Sequence, residues 1–327
     1  MTIYDIAKEA GVSGSTVSRV VNGKLGVNVE TRKKVQQLLD KYKFFPNETA
    51  RGLVNQSPRM IGILLSDIRN THYTDGAYII EQEFVQKGYC SIIFNTGAEE
   101  RAKAEYIRIL ASRRVDGAIL EGSTYQSPSV REAIVTYLPN TPIVIANGYL
   151  DLPNVSGVLA DEFDGVGSCV ELLRQKQKHN LVYVTGNETP SNLIKLQGFS
   201  HTVGKLFGTE PISYQEEPTF QGGYDATVRI MKEHPKTDGI IYAVDLMAVG
   251  GTRALFDLKI AIPQTVSIIG IDNSPYALLC NPKLTSLDTK LAELSIACSR
   301  TLADALEKRN GLKKIMVYSS IVERETT

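Results

Sequence analysis

The 327-residue chain has no tryptophan, only four histidines and only four cysteines. Cys90, Cys169, Cys280 and Cys298 lie far apart, so neither a CxxC redox pair nor a zinc-ligand spacing is readable. Sparse thiols of this kind suit a reducing compartment. No run approaches the ~18 apolar residues that a membrane span needs. The start, Met1-Thr2-Ile3-Tyr4-Asp5, lacks the basic-then-apolar pattern of a secretory signal, and a cytoplasmic location without membrane attachment is expected. Net charge is missing too, with 36 Lys/Arg against 36 Asp/Glu. That balance hides an asymmetry. Residues 1–58 hold nine Lys/Arg and five Asp/Glu, and the rest carries an equal and opposite acidic surplus. A basic head on an acidic body is the pattern expected when only one end meets a polyanion. The length predicts two domains with a small appendage.

The head reads as three short helices. Thr2 and Asp5 form a capping box ahead of Ile3, Ile6, Ala7 and Ala10, and Gly11 stops that helix. Ser13 caps a second helix from Gly14 to Asn22, with Val17, Val20 and Val21 on its inner stripe, and Asn22-Gly23 ends it. Asn28 caps a third helix through Tyr42, with Val35, Leu38 and Leu39 inward. Two short helices around a Gly-containing turn, plus a third, make a helix-turn-helix unit. The second helix carries Ser15, Thr16 and Arg19 on one exposed face. In a recognition helix such N-terminal side chains reach base edges in the major groove, where a guanidinium suits guanine. Lys24, Arg32, Lys33 and Lys34 flank it as phosphate contacts. The plainer alternative is a small solvated bundle.

Beyond Pro58 the pattern alternates between strand and helix. Met60–Leu65 is a continuous apolar run of the buried parallel type. Helices are expected near 77–87, 99–113, 130–138, 163–177, 192–206, 223–234, 246–258 and 291–308. Strands are expected at 90–94, 117–120, 143–146, from 155, at 181–184, 213–214, 240–243, 266–271 and 315–318. Two such lobes form a clam whose cleft is the natural ligand site. HExxH, GxSxG and GxGxxG motifs are absent. Gly198 to Leu206 has the outline of a P-loop, but with one residue too many and Leu206 where a magnesium-binding hydroxyl belongs. An enzyme is not expected.

The head sequence Thr2-Ile3-Tyr4-Asp5-Ile6-Ala7 … Ala10-Gly11-Val12-Ser13 … Thr16-Val17-Ser18-Arg19-Val20-Val21-Asn22-Gly23 closely resembles that of the lactose/galactose repressor (LacI/GalR) family. Val29, Thr31-Arg32, Val35, Pro46-Asn47, Ala50-Arg51 and Leu53 continue the match. In the body Asp116-Gly117, Asp161 … Gly165, Gly198-Phe199, Asp245 to Gly250, Gly270-Ile271-Asp272-Asn273 and Pro282 … Leu284-Thr285-Ser286 extend it over nearly the whole chain. The resemblance implies a fold class: an all-α helix-turn-helix head on an α/β, periplasmic-binding-protein-like body of two doubly wound lobes. It divides the chain into a DNA-binding domain at 1–46, a hinge helix and linker at 47–58, and an effector-binding and dimerisation domain at 59–327. Lobe one is expected at about 60–147 plus 274–287, and lobe two at about 148–273 plus 288–327.

The implied function is a sequence-specific transcriptional regulator, a repressor, with a near-palindromic double-stranded operator and a small polar effector, a sugar or sugar phosphate. The implied assembly is a homodimer or dimer of dimers. No cofactor or metal is implied. The alternatives are a cytoplasmic sugar-binding clam without a DNA role, and a purine or nucleoside effector. The implied DNA contacts are Ser15, Thr16, Arg19, Asn22, Lys24, Asn47, Ala50 and Leu53. A nine-residue hinge helix at 47–55 is marginal alone in water, and the resemblance places Leu53 as an apolar wedge in the minor groove. The implied effector contacts are Tyr73, Asn147, Lys195, Asp245 and Asp272. The chain also departs from the family pattern. Gly14 stands where relatives carry a larger base-contacting residue. Lys195 replaces an arginine and so lacks its bidentate fork. Asn147 stands where Asp is frequent, Val244 replaces an Asn, and Pro218 falls where relatives have an aromatic, with Phe220 two residues on. His72 and Lys195 are compatible with an anionic ligand.

Overall fold

The computed structural model describes residues 2–44, 58–309 and 311–327, and divides into two compact units, 1–58 and 59–327. The expected hinge, with Asn47, Ala50 and Leu53, lies outside the described residues.

The head contains α1 (Ile3–Ala10), α2 (Gly14–Val21) and α3 (Val29–Lys41). Each start is capped as the sequence dictates. The Asp5 amide donates to Thr2 Oγ1 and the Asp5 carboxylate accepts from the Thr2 amide, while Ser13 and Asn28 accept from Thr16 and Thr31 amides. Gly11 turns the chain at φ 71°, a conformation that costs a side-chain-bearing residue more. Ile6, Ala7, Ala10, Val17, Val20, Val35 and Leu39 close a small core. Lys41 Nζ donates to Glu9 at 3.0 Å, tying α3 to α1.

The body begins with β1 (Met60–Leu65), α4 (Thr71–Val85), β2 (Cys90–Asn95), α5 (Glu100–Arg113), β3 (Gly117–Glu121), a 3₁₀ turn (Ser123–Gln126), α6 (Pro128–Tyr137) and β4 (Ile143–Ala146). It continues with β5 (Val155–Ala160), α7 (Glu162–Gln175), β6 (Leu181–Thr185), α8 (Pro190–Phe207), β7 (Ile212–Gln215), α9 (Phe220–Glu233), β8 (Gly239–Tyr242) and α10 (Asp245–Asp257). Last come β9 (Ser267–Ile271), α11 (Pro275–Leu279), β10 (Thr285–Asp288), α12 (Leu291–Leu306), β11 (Lys314–Val317) and β12 (Ser320–Val322). These strands form two sheets, ordered β11-β5-β4-β3-β1-β2 and β12-β10-β9-β8-β6-β7. Pairing is parallel except between β10 and β12. Helices cover both faces of each sheet, so strands such as β3 and β9 are buried along their whole length.

The sheets correct the expected lobe boundaries. β5 joins the first sheet, where Ile143 pairs with Val155, although no helix separates β4 from β5. Residues 274–287 belong with the second lobe: Ala277 and Leu284 sit in its core and β10 pairs with β9. α12 belongs with the first, through Leu294, Cys298 and Leu302. Lobe one is therefore 59–161 plus 291–317, and lobe two 162–288 plus 320–327. The chain crosses at about 161, 289–290 and 318–319 rather than at 147, 273 and 288.

Lobe two depends on close helix contact. A Cβ on Gly250 would lie 1.9 Å from the Phe220 carbonyl oxygen, and one on Gly223 1.9 Å from that of Met247. Neither obstacle is a side chain that can swing away. Gly250→Ala is expected to cost about 3 kcal/mol, the upper end of overpacking penalties, and to lower the Tm of the body by roughly 5–10 °C. An unchanged melting curve would show that α9 and α10 separate freely.

Candidate functional site

On the head, Ser15, Arg19, Asn22 and Lys24 are exposed and Thr16 is half-buried. Ser13 Oγ lies 2.7 Å from Ser15 Oγ and 2.9 Å from Thr16 Oγ1, so the cap orients both hydroxyls. Asn22 Nδ2 donates to the Ser18 carbonyl at 2.7 Å, and Arg32 donates to the Lys24 carbonyl at 2.6 Å, fixing the loop after α2. Sequence reading missed Tyr4. It is 76% exposed, and its ring lies 3.2 Å from where a Gly14 Cβ would be. A larger residue at position 14 would require the Tyr4 ring to shift by a few tenths of an ångström.

In the body, four of the five expected effector residues converge where the strands of both sheets end. Asn147 follows β4 at φ 54°, and its Nδ2 donates to Glu162 Oε1 at 3.0 Å. Its own Oδ1 accepts from the Ala160 amide at 3.2 Å. Lys195, on α8, is buried with its ammonium 3.5 Å from the same Glu162 oxygen and 3.3 Å from the Ala243 carbonyl. Ser191 Oγ also donates to that oxygen at 2.6 Å, and its amide donates to Ser123 Oγ at 3.1 Å. Asn147 and Ser123 stand on lobe one, whereas Glu162, Ser191 and Lys195 stand on lobe two, so these bonds span the cleft.

Asp272 follows β9 at φ 103° and Asn273 at φ 49°. Two successive non-glycine residues with positive φ are strained, by roughly 1–3 kcal/mol each in sparsely populated regions. The surroundings over-determine them. Asp245 accepts from the Ser274 amide at 2.6 Å, Ser274 Oγ at 2.8 Å and Ser286 Oγ at 2.6 Å. Arg324 donates to Asn273 Oδ1 at 2.6 Å and the Asn273 amide to Ser286 Oγ at 2.9 Å. The Asp272 carboxylate is left at the cleft, 3.8 Å from His72 Nδ1 of lobe one. Asp245, also expected among the effector contacts, is 1% exposed, and its oxygens are engaged by Ser274 of this loop and Ser286 of β10. Burial and the nearby Asp272 charge push its carboxyl up to about 7, against the pull of its serine hydrogen bonds.

Tyr73, on α4, is the link between the groups. Burial first, then the carboxylates of Asp272, Glu121 and Glu162, push its phenol up to about 12, so at neutral pH it is an uncharged donor. Two further residues had gone unread. Glu121 ends β3 with 4% exposure; its Oε1 has no hydrogen-bond partner and burial holds its carboxyl well above the usual range. Tyr183, wholly buried in β6 and stacked on Phe199, has an unpartnered hydroxyl in the field of Glu162 and Asp272. Glu121 bears the signal that singled out Asp272, an acid at the end of an apolar strand; Glu162, the first residue of α7, and Tyr183, inside a strand, bear none. At the mouth a cavity of about 310 Å³ is lined by His72, Asp75, Ile79, Asp272, Asp288 and Leu291 among others. That is near the lower bound for small-molecule sites. The P-loop-like segment 198–206 lies inside α8, whose backbone amides bond within the helix rather than cradle phosphates.

A helix-turn-helix head joined in sequence to a two-lobed ligand clamp defines a DNA-binding regulator of ligand-responsive type. Residues 2–47 match the bacterial regulatory proteins of the lacI family and residues 170–327 a periplasmic binding protein-like domain. An HTH-type transcriptional regulator of Lachnoclostridium phytofermentans is 31% identical over 331 residues, covering 100% of this chain and 99% of the relative. Catabolite control protein A of Priestia megaterium is 29% identical, covering 99% of this chain and 96% of the relative. The structure of the Lac repressor dimer bound to operator and the anti-inducer ONPF has the same fold, with a TM-score of 0.92 at 22% identity, over 100% of this chain and 98% of that one. The chain belongs to the LacI family of transcription regulators.

Proposed function

We propose that the protein is a cytoplasmic, homodimeric repressor, without catalytic activity, whose grip on a near-palindromic operator is set by a small polar metabolite in the inter-lobe cleft. The observation that carries the reading is the convergence of Tyr73, Asn147, Lys195 and Asp272 from both lobes on one cleft. A ligand bridging them changes the balance between lobe arrangements by its differential affinity for each. Two-fold proteins meet two-fold sites, which motivates the palindromic operator. Ser15, Thr16, Arg19, Asn22 and Lys24 contact DNA from the head, with Tyr4 beside them, while Asn47, Ala50 and Leu53 keep the roles that the family resemblance gives them. Asp245 positions the 272–275 loop, and only Tyr73, Asn147, Lys195 and Asp272 act toward the ligand.

In vitro selection from randomised duplexes should yield a symmetric consensus. Arg19→Ala is then expected to weaken binding to that duplex by about 1–3 kcal/mol and to relax preference at one position of each half-site. A uniform loss with an unchanged consensus would assign Arg19 to phosphate instead.

A further inference from the structure

At the inner end of the cleft, Asn147, Ser191 and Lys195 all meet a group the protein itself supplies. Glu162 Oε1 accepts from Asn147 Nδ2 at 3.0 Å and Ser191 Oγ at 2.6 Å, and the Lys195 ammonium stands 3.5 Å away. Lys195 is 5% and Glu162 4% exposed, so the pair is removed from water and its charges cancel each other rather than being screened. We propose that Glu162 sets the ligand class of the cleft: its carboxylate occupies the place of a ligand anion on Lys195, so the site takes neutral polyhydroxylated molecules and excludes phosphorylated or carboxylated ones. The inference rests on the cleft being the effector site.

The other charges of the cleft point the same way. The His72 imidazole is 3.8 Å from Asp272, and Lys290, beside the mouth, is held by Asp288 at 2.9 Å. Asp75, Asp272, Asp288 and Glu293 face the mouth cavity. A phosphate entering here would meet carboxylates and an ammonium that is already neutralised, an arrangement that rejects like charge. Among the described residues, Tyr183 Oη and Glu121 Oε1 are two of the five buried side-chain polar atoms without a partner, and a hydroxyl, which both donates and accepts, suits either. On this proposal Lys195 and His72, though compatible with an anionic ligand by type, are each already faced by a carboxylate of the protein.

The experiment is calorimetric titration of the full-length protein with inorganic phosphate and glucose 6-phosphate, at constant ionic strength, for four chains: wild type, Glu162→Gln, Lys195→Met and the double variant. Glutamine keeps an acceptor for Asn147 and Ser191 but leaves Lys195 without a counter-charge. Glu162→Gln is expected to bind phosphate at least tenfold more tightly than wild type, and adding Lys195→Met is expected to remove the gain. A folded Glu162→Gln protein with no gain overturns the proposal. So does phosphate or glucose 6-phosphate binding by wild type that Lys195→Met abolishes, and this arm decides the matter if Glu162→Gln does not fold. Failure of the effector reading looks different: the phosphate pattern appears as expected, yet no sugar, tested against the selected duplex, changes operator affinity.

Discussion

A chain beginning at Arg59 is expected to lose binding to the selected duplex altogether, a fall of at least ~10³-fold if only non-specific attraction remains, while ligands that raise its melting temperature do so as in the full-length protein. The charge distribution and the contact pattern both require this. The surplus of Lys/Arg sits in residues 1–58, and the remainder carries an acidic excess that a polyanion repels. Residues 59–327 form a compact unit with their own four buried clusters, two for each lobe, and among the described residues the head supplies no member of these four. Filter binding or gel shift at fixed salt, paired with thermal shifts in a sugar panel, measures both halves of the expectation. Specific duplex binding by the truncated chain would move the DNA-contacting face to the body.

What was legible in the sequence follows the range of the interactions involved. The head could be read almost residue by residue because its determinants are local: Thr2, Ser13 and Asn28 each cap the turn that they begin. In the body most strands and helices could be placed within a few residues. The start of α4 is an exception. Its apolar stripe suggests 77, but Asn70 accepts from the His72 amide and starts the helix at Thr71. That difference matters, since it brings His72 and Tyr73 onto the first turn, facing the cleft. The lobes were misassigned for a non-local reason: nothing in Val155–Ala160 states which sheet it joins, and the missing helix before it imitates a domain break. The short segments α11, β10 and β12 take their form from neighbours rather than from their own pattern. Within the site, family positions led to Asn147 and Lys195, whereas Glu162, the residue that both contact, is visible only once two lobes are folded against each other.

Asp272→Ala is expected to abolish the ligand-dependent change in operator affinity while leaving affinity for the operator without ligand largely intact. Hydrogen bonds to a charged group contribute ~1.5–3 kcal/mol each, so losing even one weakens the ligand tenfold or more. Because Asp272 sits at φ 103°, alanine adds a backbone effect of its own. Asp272→Asn separates the two. It keeps a side chain tolerant of positive φ and removes only the charge, so it should bind ligand at least tenfold more weakly with little change in melting temperature. The loop itself stays in place in both variants, since Asp245, Ser286 and Arg324 hold it through Ser274 and Asn273 rather than through Asp272. Removing the Asp272 charge also withdraws one of the causes that raise the Asp245 carboxyl toward 7. A carboxyl whose folded-state value lies above its unfolded value stabilises the fold at low pH and loses that contribution as pH rises through the folded value. The body should therefore lose less stability between pH 5 and 8 with asparagine at 272 than with aspartate. Operator titrations with and without a ligand that stabilises the wild type, alongside melting curves at the two pH values, measure all of these effects. A normal ligand response in Asp272→Asn would place the ligand away from the end of β9, and an unaltered pH slope would show that Asp272 and Asp245 do not share a field.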